Sequence, residues 1–245
     1  FIHSILGVTL FFLYIKDSVA EIWAIKSITD LVSAASNCPF IKLENSSLLL
    51  NSNTTFRTNS TFLDSLNSNI KVEKAAKIIS TNNSVFKTKN SKITLNNIDL
   101  ISSASTTEPL FNSSREDFYS INNIKELKSV SKLFSFEKAT IQIIGDNTNI
   151  IQSERDLIFS GKDVSTLSIK NINVIKSTDS SVFKIENAIL NVDMVNSIES
   201  NSSQGYILSS KNSSSTFSNI SNISSAGANV FSIETSSKLT LFYIL

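Results

Sequence analysis

Apolar residues return along the 245-residue chain in blocks of about 24 residues. Phe40, Phe62, Phe86, Phe111, Phe134, Phe159, Phe183, Ile207 and Phe231 lead successive blocks, separated by 22, 24, 25, 23, 25, 24, 24 and 24 residues. Counted from each leader, further apolar positions fall near +2, +7, +9, +12 and +15. After Phe183 they are Ile185, Leu190, Val192, Val195 and Ile198. Steps of two are the period of an extended strand, so Phe183 and Ile185 point one way and Lys184 and Glu186 the other. The breaks fall at Asn90, at Asn187 and at runs such as 200–203, rich in residue types that tolerate left-handed backbone or bond their own turns.

Three short strands and three corners per block predict an all-β fold, a right-handed single-stranded parallel β-helix of about nine coils. One coil cannot bury its inward residues alone, whereas stacked coils share one apolar column. Inward Phe should then stack on Phe along the axis, and corner Asn90 or Asn187 should join amide ladders. After Phe62 the apolar set lies one position late, beginning at Ile70, and an extra residue follows Phe40; both read as one-residue corner bulges. A leucine-rich repeat is the rival at this period, and Leu167-Ser-Ile-Lys-Asn-Ile-Asn-Val offers part of its signature. No block shows the preceding leucine pair, however, and the return segments are rich in Ser, Thr and Asn, poor helix formers.

The two ends depart from the pattern. Residues 5–15 are an unbroken, mostly apolar run, and Ser18-Val19-Ala20 places small residues at −3 and −1 of a cut after Ala20. Residues 1–20 therefore read as a secretory signal peptide, too short for a membrane span. Residues 21–39 read as an N-terminal cap: Ser27 with Asp30 resembles a capping box, and Ile28, Leu31, Val32 and Ala35 share one face of a short helix. Residues 40–245 are β-helix repeats, and the last one stops in mid-block at Leu245 with Leu239 and Leu241 on strand positions, so a longer native protein is expected.

The opening 28–35 segment followed by Phe40-Ile-Lys-Leu-Glu44, and the late unit 215–234, resemble the pectin-lyase-like right-handed β-helix superfamily and its adhesin or polymorphic outer-membrane-protein repeats. The likeness covers roughly residues 25–245. The chain departs from the bacterial pattern in having Gly227 as its lone clear bend glycine and no Gly-Gly-Ala-Ile tetrapeptide. Similar Asn/Ser/Ile-rich repeats occur in large surface proteins of AT-rich protists. The resemblance implies either an adhesive or structural surface protein or a carbohydrate-active enzyme, a lyase or glycosidase.

Composition narrows these classes. There are 46 Ser, 27 Asn and 18 Thr, yet 41% of residues are apolar and mean hydropathy is slightly positive, so a core can form. Net charge is +1, which gives no electrostatic footprint for nucleic acid. The only histidine, His3, lies in the leader, so Ser-His and Cys-His nucleophiles and histidine-ligated zinc are not expected in a mature chain. Cys38 is single and reads as a small apolar residue near the cap or as an intermolecular thiol.

Enzymes of this fold class need clustered carboxylates. Glu137, Glu186 and Glu234 fall at +3 and Glu44 at +4, on one outward face, but Lys162 and Ser210 belong to the intervening blocks. At about 4.8 Å per coil, Glu137 and Glu186 would stand about 10 Å apart. That reads as a solvated charge ladder rather than an acid–base pair. Asp99, Asp146 and Asp193 do not align, and Arg57, Arg115 and Arg155 stand beside no acidic cluster. Residues 115–128 suit either a helical excursion or, preferably, an ordinary coil. Nine N-glycosylation sequons occur, of which about seven are expected from composition alone.

These observations lead to a secreted or cell-surface solenoid with an adhesive or interaction role. Neither catalytic, cofactor-binding nor metal-ligating residues are assigned, and the expected partners are glycans or surface proteins. The competing reading is a carbohydrate-active enzyme whose site lies outside these residues.

Overall fold

The computed structural model describes residues 13–23, 30–163, 165–227 and 229–245. The chain is a parallel β-solenoid of about nine turns. The first face is a ten-stranded parallel sheet, four residues per strand, in strict chain order: Leu13–Lys16, Ile41–Glu44, Leu63–Leu66, Phe86–Lys89, Phe111–Ser114, Phe134–Glu137, Phe159–Lys162, Phe183–Glu186, Leu208–Lys211 and Phe231–Glu234. The second sheet contains thirteen strands and wraps the remaining two faces. In coils such as Lys92–Ser103 or Ile189–Ser200 it runs twelve residues without a break.

Left-handed residues bend the backbone at two of the three corners. The first corner has φ near +50° at Asn45, Asn67, Asn90, Lys138, Asn187 and Asn212. The second, inside the twelve-residue strands, has it at Asn97, Asn123, Asn171, Met194 and Asn219. Asn predominates because its short amide lowers the cost of αL for a residue with a Cβ. The expected amide ladder forms from Asn90 toward the N-terminus: Asn90 donates to Asn67 (3.2 Å), Asn67 to Asn45 (3.1 Å) and Asn45 to Asp17 (3.1 Å).

Axial register corrects part of the sequence reading. Leu63, not Phe62, pairs with Phe86, and Leu208, not Ile207, pairs with Phe183 and Phe231. The coils from Phe40 to Leu208 enter the first face with two consecutive buried residues, such as Phe62-Leu63, Val85-Phe86 and Ile207-Leu208. Periodicity cannot tell which of two adjacent inward residues starts the strand. Counted from Ile41 and Leu63, the next inward residues Leu48 and Ile70 fall at the usual spacing, so no first-corner bulge follows Phe40 or Phe62; the register shift between these two coils comes later, where Leu50 pairs with Val72 and Asn51 with Lys74. The extra corner residue lies instead between Ser114 and Phe118, Lys162 and Thr166, and Glu234 and Lys238.

Phe86, Phe111, Phe134, Phe159 and Phe183 form one axial stack, with centroids 4.5–5.3 Å apart and planes within 12° of parallel. Phe40 and Phe62 stack separately, and the contact from Phe62 to Phe86 is edge-on at 79°, because the Phe changes position there. The segment 115–128 is an ordinary coil, with its strand at Phe118–Ser129 and Tyr119 as the inward residue. The cap helix is not found among the described residues. Asp30–Ser33 is a strand paired with Thr55–Thr58, so third-face pairing overrides the local helical pattern; 24–29 lie outside the described residues. Of the leader segment 1–20, Leu13–Lys16 pairs with the next coil, as does Val19–Trp23, which runs on past the expected cut after Ala20; 1–12 lie outside the described residues.

Candidate functional site

Two serine ladders hold the corners, and the apolar repeat pattern does not reveal them. At the first corner the hydroxyls of Ser46, Ser68, Ser91 and Ser213 each donate to a carbonyl two residues back in their own coil. The backbone N–H of Ser46 and Ser68 donates to the hydroxyl of the next coil. At the third corner the strands end on Ser80, Ser103, Ser153, Ser177 or Ser200, whose buried hydroxyls donate to loop carbonyls. Their signal in the sequence is an apolar-x-Ser triplet closing a block, such as Ile101-Ser102-Ser103 or Ile198-Glu199-Ser200, hidden among many other serines.

Asp117 takes the serine's place in the first-corner ladder and creates a polar cell inside the coil. Its Oδ1 accepts from the Ser91 N–H (2.7 Å), and its Oδ2 accepts from Ser113 Oγ (2.6 Å) and Thr88 Oγ1 (2.7 Å). Tyr119 hydroxyl lies 2.6 Å from Thr88 Oγ1. Asp117 is 2% exposed, and none of the described lysines or arginines forms an ion pair with it. Burial raises its carboxyl above the ordinary range, against the lowering effect of the hydrogen bonds from Ser113, Thr88 and the Ser91 backbone. Burial also pushes the Tyr119 hydroxyl well above the usual phenol range, so it stays neutral. The cell is closed to solvent, and its role is to hold the corner.

The accessible chemistry lies on the first face. Its outermost row runs Glu137, Lys162, Glu186, Lys211 and Glu234 in successive coils. Lys211, rather than Ser210, stands between Glu186 and Glu234, as the corrected register requires; Ser210 points inward and is 1% exposed. Lys162 Nζ is 3.9 Å from Glu137 and Lys211 Nζ is 2.9 Å from Glu186. The hydrogen bond from Lys211 lowers the Glu186 carboxyl and raises the lysine. Glu44 belongs to the same row near the other end, lowered by hydrogen bonds from the Tyr14 hydroxyl and from Lys42. Each of these glutamates therefore has a lysine or hydroxyl partner or, for Glu234, faces a lysine in the preceding coil.

Beside that row the outward side chains shrink to Asn112, Ser135 and Ser160, which floor a furrow of about 490 Å³ walled by Lys132, Glu137, Lys162, Lys184 and Glu186. Small floor residues between long charged ones form a polar trough running along the solenoid axis. A second, shallower furrow follows the Asp17, Asn45, Asn67 and Asn90 ladder, but there the amides already bond one another.

The remaining candidates stay apart. Asp99 pairs with Lys125 (2.6 Å), Asp193 accepts from Ser218 and Asn219, and Asp146 bonds Thr148 within its own loop. Arg57 meets Asp30 alone, and Cys38 is exposed. Among the described residues no group of three His, Cys, Asp or Glu side chains is placed to hold a metal ion, and no helix is long and apolar enough to cross a membrane. His3 lies outside the described residues. No protein-family model matches the chain, and no curated protein or solved structure matches it either.

Proposed function

We propose that the protein is a secreted or cell-surface β-solenoid of the pectin-lyase-like, adhesin type, with an interaction role and no catalysis. The observation that carries this reading is the first-face trough over Asn112, Ser135 and Ser160, with its alternating Lys and Glu walls. Hydroxyl and amide groups repeated about every 4.8 Å suit weak contacts to a glycan chain or a surface protein, and such contacts add up when several coils engage at once. The apolar run 5–15 and the small residues before Glu21 supply the route of export.

The test is binding of the full chain to a panel of immobilised glycans, compared with a variant carrying Ser135→Trp and Ser160→Trp. Filling the trough should weaken binding at least about tenfold, a loss of about 1.4 kcal/mol. Equal binding by both proteins would sink the assignment to this face. Export is tested separately by N-terminal sequencing of protein recovered outside the cell, which should begin at Glu21. Such a cut removes Leu13–Lys16 and leaves Ile41–Glu44 as the first-face edge strand.

A further inference from the structure

The nine sequons are indistinguishable in the sequence, but the fold separates them. The side chains of Asn53, Asn82, Asn201 and Asn212 are exposed and make no hydrogen bond with any described residue. Asn53 lies in the gap between Ser47–Asn51 and Thr55–Thr58, Asn82 and Asn201 follow third-corner strands, and Asn212 is a first-corner residue with φ +48°. Four of the other five are hydrogen-bonded. Asn45 donates to Asp17, Asn59 to the Ala34 carbonyl, Asn219 to Asp193 and Asn222 to Ser197. Asn112 is half-buried in the floor of the trough.

We propose that the protein carries N-linked glycans at Asn53, Asn82, Asn201 and Asn212 and at none of the other five sequons. In the transfer, Nδ2 of the asparagine displaces pyrophosphate from the anomeric carbon of a lipid-linked oligosaccharide. One C–N bond forms, one C–O bond breaks, the amide loses a proton and the lipid pyrophosphate leaves, with no change of oxidation state. At an engaged site the side chain lies against the neighbouring coil, so a sugar on Nδ2 displaces an axial contact and competes with stacking of the coils. At the four free sites the sugar extends from a corner into solvent. Glycans there shield corners and loops while the trough stays bare, because Asn112 is left unmodified. This inference rests on the secreted reading above.

The experiment sends the full chain through a eukaryotic secretory pathway behind a heterologous leader, so that export does not depend on its own N-terminus. Glycans are released from the purified protein with an amidase in ¹⁸O-water, and labelled aspartates are mapped by mass spectrometry. Label is expected at 53, 82, 201 and 212 and not at 45, 59, 112, 219 or 222. Label at any of those five in molecules with a cooperative β-type unfolding transition overturns the proposal, as does absence of label at any of the four. Should the chain be retained in the cell, the same map is made on microsomal protein after limited proteolysis has removed unfolded molecules. Failure of the native leader to direct export would overturn the secreted reading, and with it the presence of these glycans on the native protein, while the map made behind the heterologous leader still decides which asparagines the fold leaves open.

Discussion

The inward third position of the first-face strands is filled in two different ways along one solenoid. In three consecutive coils it holds Ser65, Thr88 and Ser113; Thr88 and Ser113 donate to Asp117, and Ser65 donates to Ser91 in the same ladder. In the next coils it holds Phe136, Gly161 and Ile185. The polar stretch satisfies its buried groups by hydrogen bonds that run from coil to coil. The apolar stretch fills space by size matching: the Phe136 ring lies where a Cβ on Gly161 would come within 2.5 Å of it. Each coil is thus complementary to its axial neighbour rather than to an average repeat, and the unit of stability is the interface between coils.

The contrast can be broken from either side. The largest effect should come from Phe183→Asp, at the end of the ring stack, where Phe183 is fully buried. An unpaired carboxylate in that column costs several kcal/mol and should unfold several coils, read as loss of the β-type far-UV spectrum. A variant with the spectrum and urea midpoint of the parent would refute the stacked column.

Asp117→Ala removes the shared acceptor of Ser91, Ser113 and Thr88 and should cost about 2–4 kcal/mol in urea unfolding. Gly161→Ala should cost about 1–3 kcal/mol, because Phe136 must leave its rotamer or the coils must separate. A larger loss for Gly161→Ala than for Asp117→Ala would reverse the proposed ranking of the two stretches.

Asp117→Asn sharpens the polar side. Burial raises the folded carboxyl, so the folded state binds the proton more tightly than the unfolded chain does. The stability Asp117 contributes is full below the unfolded value of about 3.9 and is lost as pH rises through the raised folded value. The asparagine variant lacks this dependence, so its urea midpoint should gain on the parent's as pH rises above the unfolded value of about 3.9. Tyr119, the titratable group nearest the carboxyl in this cell, stays neutral as the carboxyl titrates. A constant difference between the two proteins would contradict the assignment. The smallest effect is expected on the outer row: Lys162→Glu, at an exposed ladder position, should change stability by about 0.5 kcal/mol or less. Its influence should fall on binding at the trough.

Much of the fold was legible because a solenoid writes its period into the chain. The strand steps after Phe183, the corners at Asn90 and Asn187 and the Glu–Lys alternation all depend on local spacing. The register of Phe62 and Ile207 was not legible, because either of two adjacent apolar residues satisfies the same pattern. The helix expected from Ser27 failed over Asp30–Ser33 for a different reason: pairing with Thr55–Thr58 lies outside any local window. The trough was invisible because its floor is defined by what Asn112, Ser135 and Ser160 lack relative to their charged neighbours in adjacent coils.

By itself the sequence determined the solenoid, its number of coils and the residue types at its corners, since these follow from alternation and turn chemistry within a single block. Only the tertiary structure decided which coils meet in which register, that Asp117 closes a serine ladder, that Gly161 makes room for Phe136, and which asparagines are free. Those features are relations between residues about 24 positions apart. They come into being when one coil is laid on the next, and the hydrogen bonds and packing across that interface select among patterns that one strand alone leaves equal.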